Sequence, residues 1–479
     1  MRRIALSAIV LSLAASLACG GSNPQPAKTI VLGAVIDQSS SMAWTTWTTA
    51  GSLAVDQLNS ALQSANSNTR FQFLVSDSAA APATTVSSAT DLVVNKGAKA
   101  IITDNSNDDV ALAKLAYDAD TTNDINVPLM CITCTSANIN NPTATNSDPV
   151  TQAAYQDASH WNWRTCTRAT QQLTVLTSVV TSRGTAGDVN GDGVFKVSVI
   201  VLDDSSGHPY VQSILNKFAA VNPNILVEKI TISTSNHDLN DTTFWDTQAA
   251  LLIDDKTECQ QDPNTSTACL GTGEATDVVP DALLENLNPG YNIALSQALA
   301  RANNSITFFH AHAFRANQVS ETLGAEINGQ EGVSPVLFET NASGQQFATD
   351  LTAASGMGPS LLDASMYDAT VALALAALKA SVGLSDPSTV TGAQVQQALS
   401  QINDPNGTIV RTGTEAFKQA IPLISAGAAI NYDGASGPVD FDSSGNIFQN
   451  LSLYQGQAGA FVDVQKFDCV TSPSCLALP

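Results

Sequence analysis

The chain has 479 residues, with 43 Asp and Glu against 20 Lys and Arg, and a formal net charge of −23. That balance excludes sequence-independent nucleic-acid binding and docking on an anionic membrane through a basic patch, since both need Lys and Arg to meet phosphate. Hydrophobic residues at 44% exclude a wholly disordered chain, and with only 13% charged residues the polar surface falls mainly to Ser, Thr, Asn and Gln.

The first segment reads as an address. Met1-Arg2-Arg3 is positive, Ile4 to Ala18 is apolar, and Cys19-Gly20-Gly21 follows. The run is too short for a permanent spanning helix and has the form of a secretory signal. Ser16-Leu17-Ala18-Cys19 resembles a bacterial lipobox, although Ser16 stands where a leucine is usual. The resemblance implies a signal peptide over 1–18, lipidation of Cys19, and a polar tether over 19–28 carrying Pro24 and Pro26. An exported protein of the bacterial cell envelope is expected, touching the membrane through its lipid alone. In that oxidising setting the remaining cysteines are expected as disulfides rather than metal ligands. Cys259/Cys269 and Cys469/Cys475 each close a short polar loop and are the preferred pairs. Cys131, Cys134 and Cys166 leave one thiol over, and their pairing stays open.

From Thr29 onward strands and helices alternate. Thr29 to Ile36 is a continuous apolar run, the mark of a strand buried on both faces. Helical spacing follows over 49–65, then a strand over 70–75 ending at Asp77, a helix over 83–95, a strand over 98–103, a helix over 110–117 and a strand over 127–132. After an Asn/Thr/Pro-rich loop at 138–152 the pattern resumes with strands at 195–202 and 226–232 flanking a helix at 211–221. A polar, turn-rich insertion at 254–276 carries Cys259 and Cys269. Strands at 282–287 and 306–312 flank a helix at 293–302. Tyr367, Val371, Leu375, Leu378 and Val382 mark one face of a long later helix. Such alternation predicts α/β architecture with parallel sheets, whose ligands bind beyond the carboxyl ends of the strands.

Several segments, in order, resemble the type I periplasmic solute-binding proteins, the branched-chain amino-acid group of ABC-transporter substrate-binding proteins. The opening Ile30-Val31-Leu32-Gly33-Ala34-Val35 with Gly51, Leu53, Ala54 and Val55 is similar to their first strand and helix. Phe71 to Asp77 before Pro82, Asn126 to Met130 before Thr133 to Ser136, Trp163-Arg164-Thr165, Val197 to Gly207, Tyr367-Asp368-Ala369, and Gly434 to Gly445 around Phe441-Asp442 continue the likeness. It covers nearly all of Thr29 to Asp463. The resemblance implies two Rossmann-like lobes joined by a three-crossover hinge: 29–163 plus 329–430 in lobe one, and 164–328 plus 431–479 in lobe two. It also implies a monomeric, non-enzymatic protein without a cofactor. Such a protein captures a small polar ligand, an amino acid or small carboxylate-like metabolite, for an ABC permease or a membrane sensor.

By the same resemblance the ligand pocket falls on Ser39, Ser40 and Trp44 after the first strand, on Asn107 and Asp108 after the third, and on Thr135 and Ser136 after the fourth. In lobe two, Ser206 takes a position where a tyrosine is common, so an aromatic cover is either missing or supplied by Tyr210. His310 and His312, with Arg315 behind, end the 306–312 strand where amino-acid binders place an acid for the ligand ammonium. An imidazole cannot replace that acid. Strand alternation would aim His310 and His312 to one side, with His208 on another cleft loop. Hydrogen-bonded cleft histidines are favoured there over a three-histidine metal site. Asp37-Gln38-Ser39-Ser40-Ser41 also fits the Asp-x-Ser-x-Ser of von Willebrand A adhesion domains, which hold Mg²⁺, and supplies the alternative function. Asp188 to Asp192 resembles half a calcium loop, but Val199 stands where its last ligand should be. No Gly-x-Ser-x-Gly elbow, P-loop lysine or His-Glu-x-x-His is present.

Overall fold

A computed structural model describes residues 27–40, 46–117, 124–221, 225–233, 237–253 and 279–478. Cys19, Trp44, Cys259, Cys269, the signal segment and the 254–276 insertion lie outside these residues. The first half builds one parallel sheet: β1 (Lys28–Ile36), α1 (Trp47–Ser64), β2 (Thr69–Asp77), α2 (Pro82–Thr90), β3 (Ala98–Thr103), α3 (Ser106–Tyr117), β4 (Leu129–Cys131), α4 (Pro149–Gln156) and β5 (Asn162–Arg164). Strand order is β2-β1-β3-β4-β5. In β1, Ile30, Leu32, Ala34, Val35 and Ile36 are all buried, as a strand covered by helices on both faces requires.

The chain then crosses into a second sheet: α5 (Ala169–Thr181), β6 (Lys196–Leu202), α6 (Gly207–Val221), β7 (Leu226–Ile232), α7 (Thr242–Ile253), β8 (Ala282–Asn286), α8 (Pro289–Arg301), β9 (Phe308–His310), α9 (Asn317–Leu323) and β10 (Glu331–Pro335). It returns to cover the first sheet with α10 (Ala342–Ser355), α11 (Asp363–Ala380), α12 (Gly392–Leu399), β11 (Thr408–Val410), α13 (Thr414–Ser425) and β12 (Ile430–Tyr432). A final crossing adds β13 (Leu451–Gln457), β14 (Ala460–Asp468) and β15 (Leu476–Ala477) as an antiparallel edge, giving the order β15-β14-β13-β10-β9-β8-β6-β7.

The lobe boundaries therefore shift from the expected ones. β10 belongs to the second sheet, because Glu331 lies in register with Phe309 on one side and Gln455 on the other. Tyr432, Ala435, Val439 and Ile447 stay in the first-lobe core. The crossings lie side by side: the Thr167 amide donates to Gln449 Oε1 (2.9 Å), Gln449 Nε2 donates to the Thr165 carbonyl (3.2 Å), and the Val336 amide donates to the Asn450 carbonyl (3.1 Å).

Local chemistry sets the elements. α4 and α8 each begin with a side-chain cap followed by proline, Asp148 with Pro149 and Asn288 with Pro289. α11 is buried from Asp363 to Leu378, so it is apolar or small on every face and not on the one face its Tyr367-to-Val382 spacing suggested. The expected strand over 306–312 is shorter: it ends at His310, and His312–Arg315 forms a 3-10 turn. Cys469 is bonded to Cys475 and Cys131 to Cys134, leaving Cys166 as a buried thiol.

Candidate functional site

The two sheets point the carboxyl ends of their strands at a shared cleft. From lobe one come the loop after β1 (Asp37, Ser40), the loop after β3 running into α3 (Asp104 to Asn107), and the loop after β4 (Thr133, Thr135). Trp47, at the start of α1, lies beneath them. From lobe two come the loop after β6 (Leu202, Asp204, Ser206), the end of β8 with the cap of α8 (Asn286, Asn288), Tyr291 on α8, and His312. These residues enclose about 190 Å³, room for a small metabolite and too little for a polymer segment.

The lobes are closed on each other. Asn107 Nδ2 donates to Asp204 Oδ2 (3.0 Å), while its Oδ1 accepts from the Ser205 amide (3.1 Å) and hydroxyl (2.5 Å). The Ser136 hydroxyl donates to the Ser205 carbonyl (2.7 Å). α3 starts where a strand must turn away from the sheet, and that turn carries Asn107 across the gap. Gly207 opens α6 because a Cβ there would collide with the Leu202 carbonyl.

Charge in the cleft is acidic. Asp37, Asp104 and Asp204 line it, and no lysine or arginine does among the described residues. Burial, with Asp108 and Asp37 nearby, pushes the Asp104 carboxyl up to about 8. Burial alone pushes His312 down to about 4, so its imidazole is neutral.

Of the residues the sequence singled out, Ser40, Asn107, Thr135, Ser206 and His312 line the cleft and Ser136 closes it. The others lie elsewhere. Ser39 is exposed, its hydroxyl bonded to Asp77. Asp108 is buried behind the cleft floor, accepting from Asn105 Nδ2 (2.8 Å). His208 pairs with Asp203 (2.6 Å) on the outer side of its loop. Tyr210 is one turn too far along α6: it packs into the second-lobe core, where burial holds its phenol well above the usual range. His310 is enclosed, its Nε2 on Gln330 Oε1 (2.7 Å) and its ring stacked on Phe314. Arg315 is buried against Ser334, Ser452 and Asp463. Because β9 stops at His310, the alternation that would have aligned His310 with His312 never operates. His208, His310 and His312 thus share no site.

Other expectations resolve into ordinary structure. The Asp37 carboxylate accepts from the amides of Ser39 (3.2 Å) and Ser40 (3.0 Å), so it folds its own loop. Asp188 accepts from the amides of Gly191 (2.6 Å) and Gly193 (3.0 Å), making an exposed turn. Among the described residues, the metal-type side chains that converge are Asp109, Cys131 and Cys134, where the two sulfurs are already joined.

The sequence reading passed over Asp104, Asn105, Asp204, Asn286, Asn288, Tyr291 and Trp47 as site residues. Three of them were within reach of it: Asp104, Asp204 and Asn286 sit at the ends of strands recognisable from their apolar runs.

No protein-family model matches this sequence, and no curated protein matches it either. Solved structures do. An ABC-transporter solute-binding protein from R. palustris in complex with benzoate superposes with TM-score 0.62 at 16% identity, covering 94% of this chain and 97% of that one. The leucine-binding protein LivK from Thermotoga maritima gives TM-score 0.62 at 13% identity, over 91% and 98%. The branched-chain amino-acid transporter substrate-binding protein LivJ from Streptococcus pneumoniae, in complex with isoleucine, gives 0.59 at 14%, over 94% and 99%. The fold is that of the type I periplasmic binding proteins. In that fold the cleft between the lobes, at the sheet ends, is the place where this chain gathers its polar side chains.

Proposed function

We propose that this protein captures a small polar solute between its lobes and presents it to an ABC-type permease or a membrane sensor. The observation that carries this reading is the closed cleft itself, lined from both sheets and bridged by Asn107 to Asp204 and Ser205. A hinge of three adjacent crossings is suited to opening and reclosing such a cleft around a ligand. The similar proteins named above are transporter solute-binding proteins, two of them in complex with benzoate or isoleucine, which supports the same kind of task here. The adhesion alternative has no observation in its favour, since both sheets fall within one solute-binding architecture.

Export and anchoring complete the proposal. The lipobox-like Ser16 to Cys19 would tether the domain to the envelope, where it works as a monomer. Cys19→Ala is expected to move the protein from the membrane fraction to the soluble fraction; unchanged membrane retention would remove the anchor.

Capture is tested by thermal shift against a panel of amino acids, amines, aromatic acids and sugars. A ligand at one hundred times its Kd should add about 2.7 kcal/mol of stability, because only the folded cleft binds it. His312→Ala should abolish the shift while leaving the ligand-free Tm within a few degrees, since the His312 side chain has no hydrogen-bond partner among the described residues. A panel that leaves Tm unmoved throughout would remove the capture reading.

A further inference from the structure

Two of the places in the cleft where backbone amides converge, the loop after β1 and the start of α6, are already filled by the protein's own carboxylates. In lobe one, Asp37 accepts from the Ser39 and Ser40 amides and from the Ser40 hydroxyl, and Asp104 Oδ2 accepts from the Asp37 amide (2.7 Å). In lobe two, Asp204 Oδ1 accepts from the amides of Ser206 and Gly207 (both 2.8 Å) and from the Ser206 hydroxyl (2.7 Å), which occupies the amino end of α6. These are the donors that a bound carboxylate would otherwise use. The nearby arginines are spent as well: Arg164 donates to the carbonyls of Cys134 (2.6 Å) and Ser136 (3.1 Å), and Arg315 to Asp463 (2.5 Å).

A second, independent observation concerns His312. It is only 9% exposed, it lines the cleft, and it has no hydrogen-bond, ion-pair or ring partner among the described residues. With no protein partner to take up its ring nitrogens, this imidazole is placed to meet a ligand atom. Trp47 and Tyr291 line the same space, and aromatic walls suit an organic cation.

We propose that the cleft takes an organic cation: a small amine, guanidine or quaternary ammonium compound with no carboxylate of its own, its charge set among Asp37, Asp104 and Asp204 and its polar remainder bonded to His312. This rests on the capture reading and narrows it. Asp104 offers an added signature. Asp37 on the β1 loop and Asp108 on α3 face it from its own lobe, with Asp204 and the neutral His312 lining the opposite wall. A cation arriving there favours the ionised carboxylate, so binding near pH 7 should release a proton.

Titration calorimetry on the intact protein with agmatine, putrescine and choline, against isoleucine and benzoate, tests the inference. At least one cation should bind tenfold or more tighter than either comparison ligand, with heats that differ between buffers of different ionisation enthalpy. Asp104→Asn should weaken that cation at least tenfold, and Asp37→Asn serves as the second variant if the first fails to fold. Tighter binding of isoleucine or benzoate than of every cation would overturn the ligand class and leave capture standing. Absence of binding by all three cations also overturns it, and the wider thermal-shift panel then decides capture separately.

Discussion

At the scale of single residues, side chains that look equivalent in sequence do different work. Arg315 and His312 stand three positions apart, and both read as ligand contacts. Only His312 reaches the cleft, because the turn after β9 sends Arg315 back between β10, β13 and β14, where Ser334, Ser452 and Asp463 take its guanidinium. Asp463 reaches solvent and keeps Lys466 at 3.8 Å, so Arg315→Ala mainly strips the buried Ser334 and Ser452 hydroxyls of their donor and should cost about 1–3 kcal/mol in urea unfolding. Ligand affinity of the folded fraction should not change. A variant as stable as wild type but weakened in binding would return Arg315 to the site. His310 makes the same point: Gln330 and the Glu285 carboxylate 3.4 Å from its Nδ1 are remote in sequence, and Phe314 stacks on its ring only because the turn after β9 folds back.

At the scale of elements, single acids fasten helices to loops. Asp368, buried in α11, accepts from Tyr432 Oη (2.7 Å), the Ala435 amide (2.8 Å), and the Ser436 amide (2.7 Å) and hydroxyl (2.6 Å). Gly434 must lack a side chain because a Cβ would land on that carboxylate. Asp368→Ala strands four donors and should cost roughly 3 kcal/mol or more, with Gly434→Ala destabilising the same junction; a loss below 1 kcal/mol in either would refute this account. The motifs Tyr367-Asp368-Ala369 and Gly434 to Gly445 were both visible in the sequence. Their meeting was not, since Asp368 and Ala435 lie 67 positions apart and only packing brings the two ends together.

At the scale of the whole molecule, the fold holds many acids where water is scarce. Burial raises Asp104 to about 8, Asp157 and Asp363 to about 7, and Asp109 and Asp368 to about 6. Each folded value lies above the ordinary unfolded one near 3.9. The stability these groups contribute is therefore complete below that unfolded value and is lost as pH rises through each folded value. Asp386, lowered to about 2 by Lys28 and Ser388, works in the opposite sense, but only below about pH 4. Self-repulsion from the net charge of −23 adds to the loss at higher pH. Stability, read by calorimetric Tm, should accordingly fall from pH 5 to pH 8, the unfolding free energy dropping by at most ~1.4 kcal/mol per pH unit for each group still titrating. A Tm that climbs over that range would contradict the assignment.

Apolar runs by themselves determined the α/β class, the order of strands and helices from β1 to β4, and the ends of strands such as β3 and β6 where a site must lie, because burial on both faces of a parallel sheet imposes its pattern on local sequence. The likeness to two-lobed binding proteins was carried by short motifs in order, and it held without any one of them being specific. Tertiary structure alone decided which sheet β10 joins, which of His310, His312 and Arg315 faces the cleft, and that Asp104 meets the Asp37 amide and Asn107 meets Asp204 across it. Those outcomes depend on where a strand stops and on partners 67 to 148 residues away, and neither is written in the neighbours of a residue along the chain.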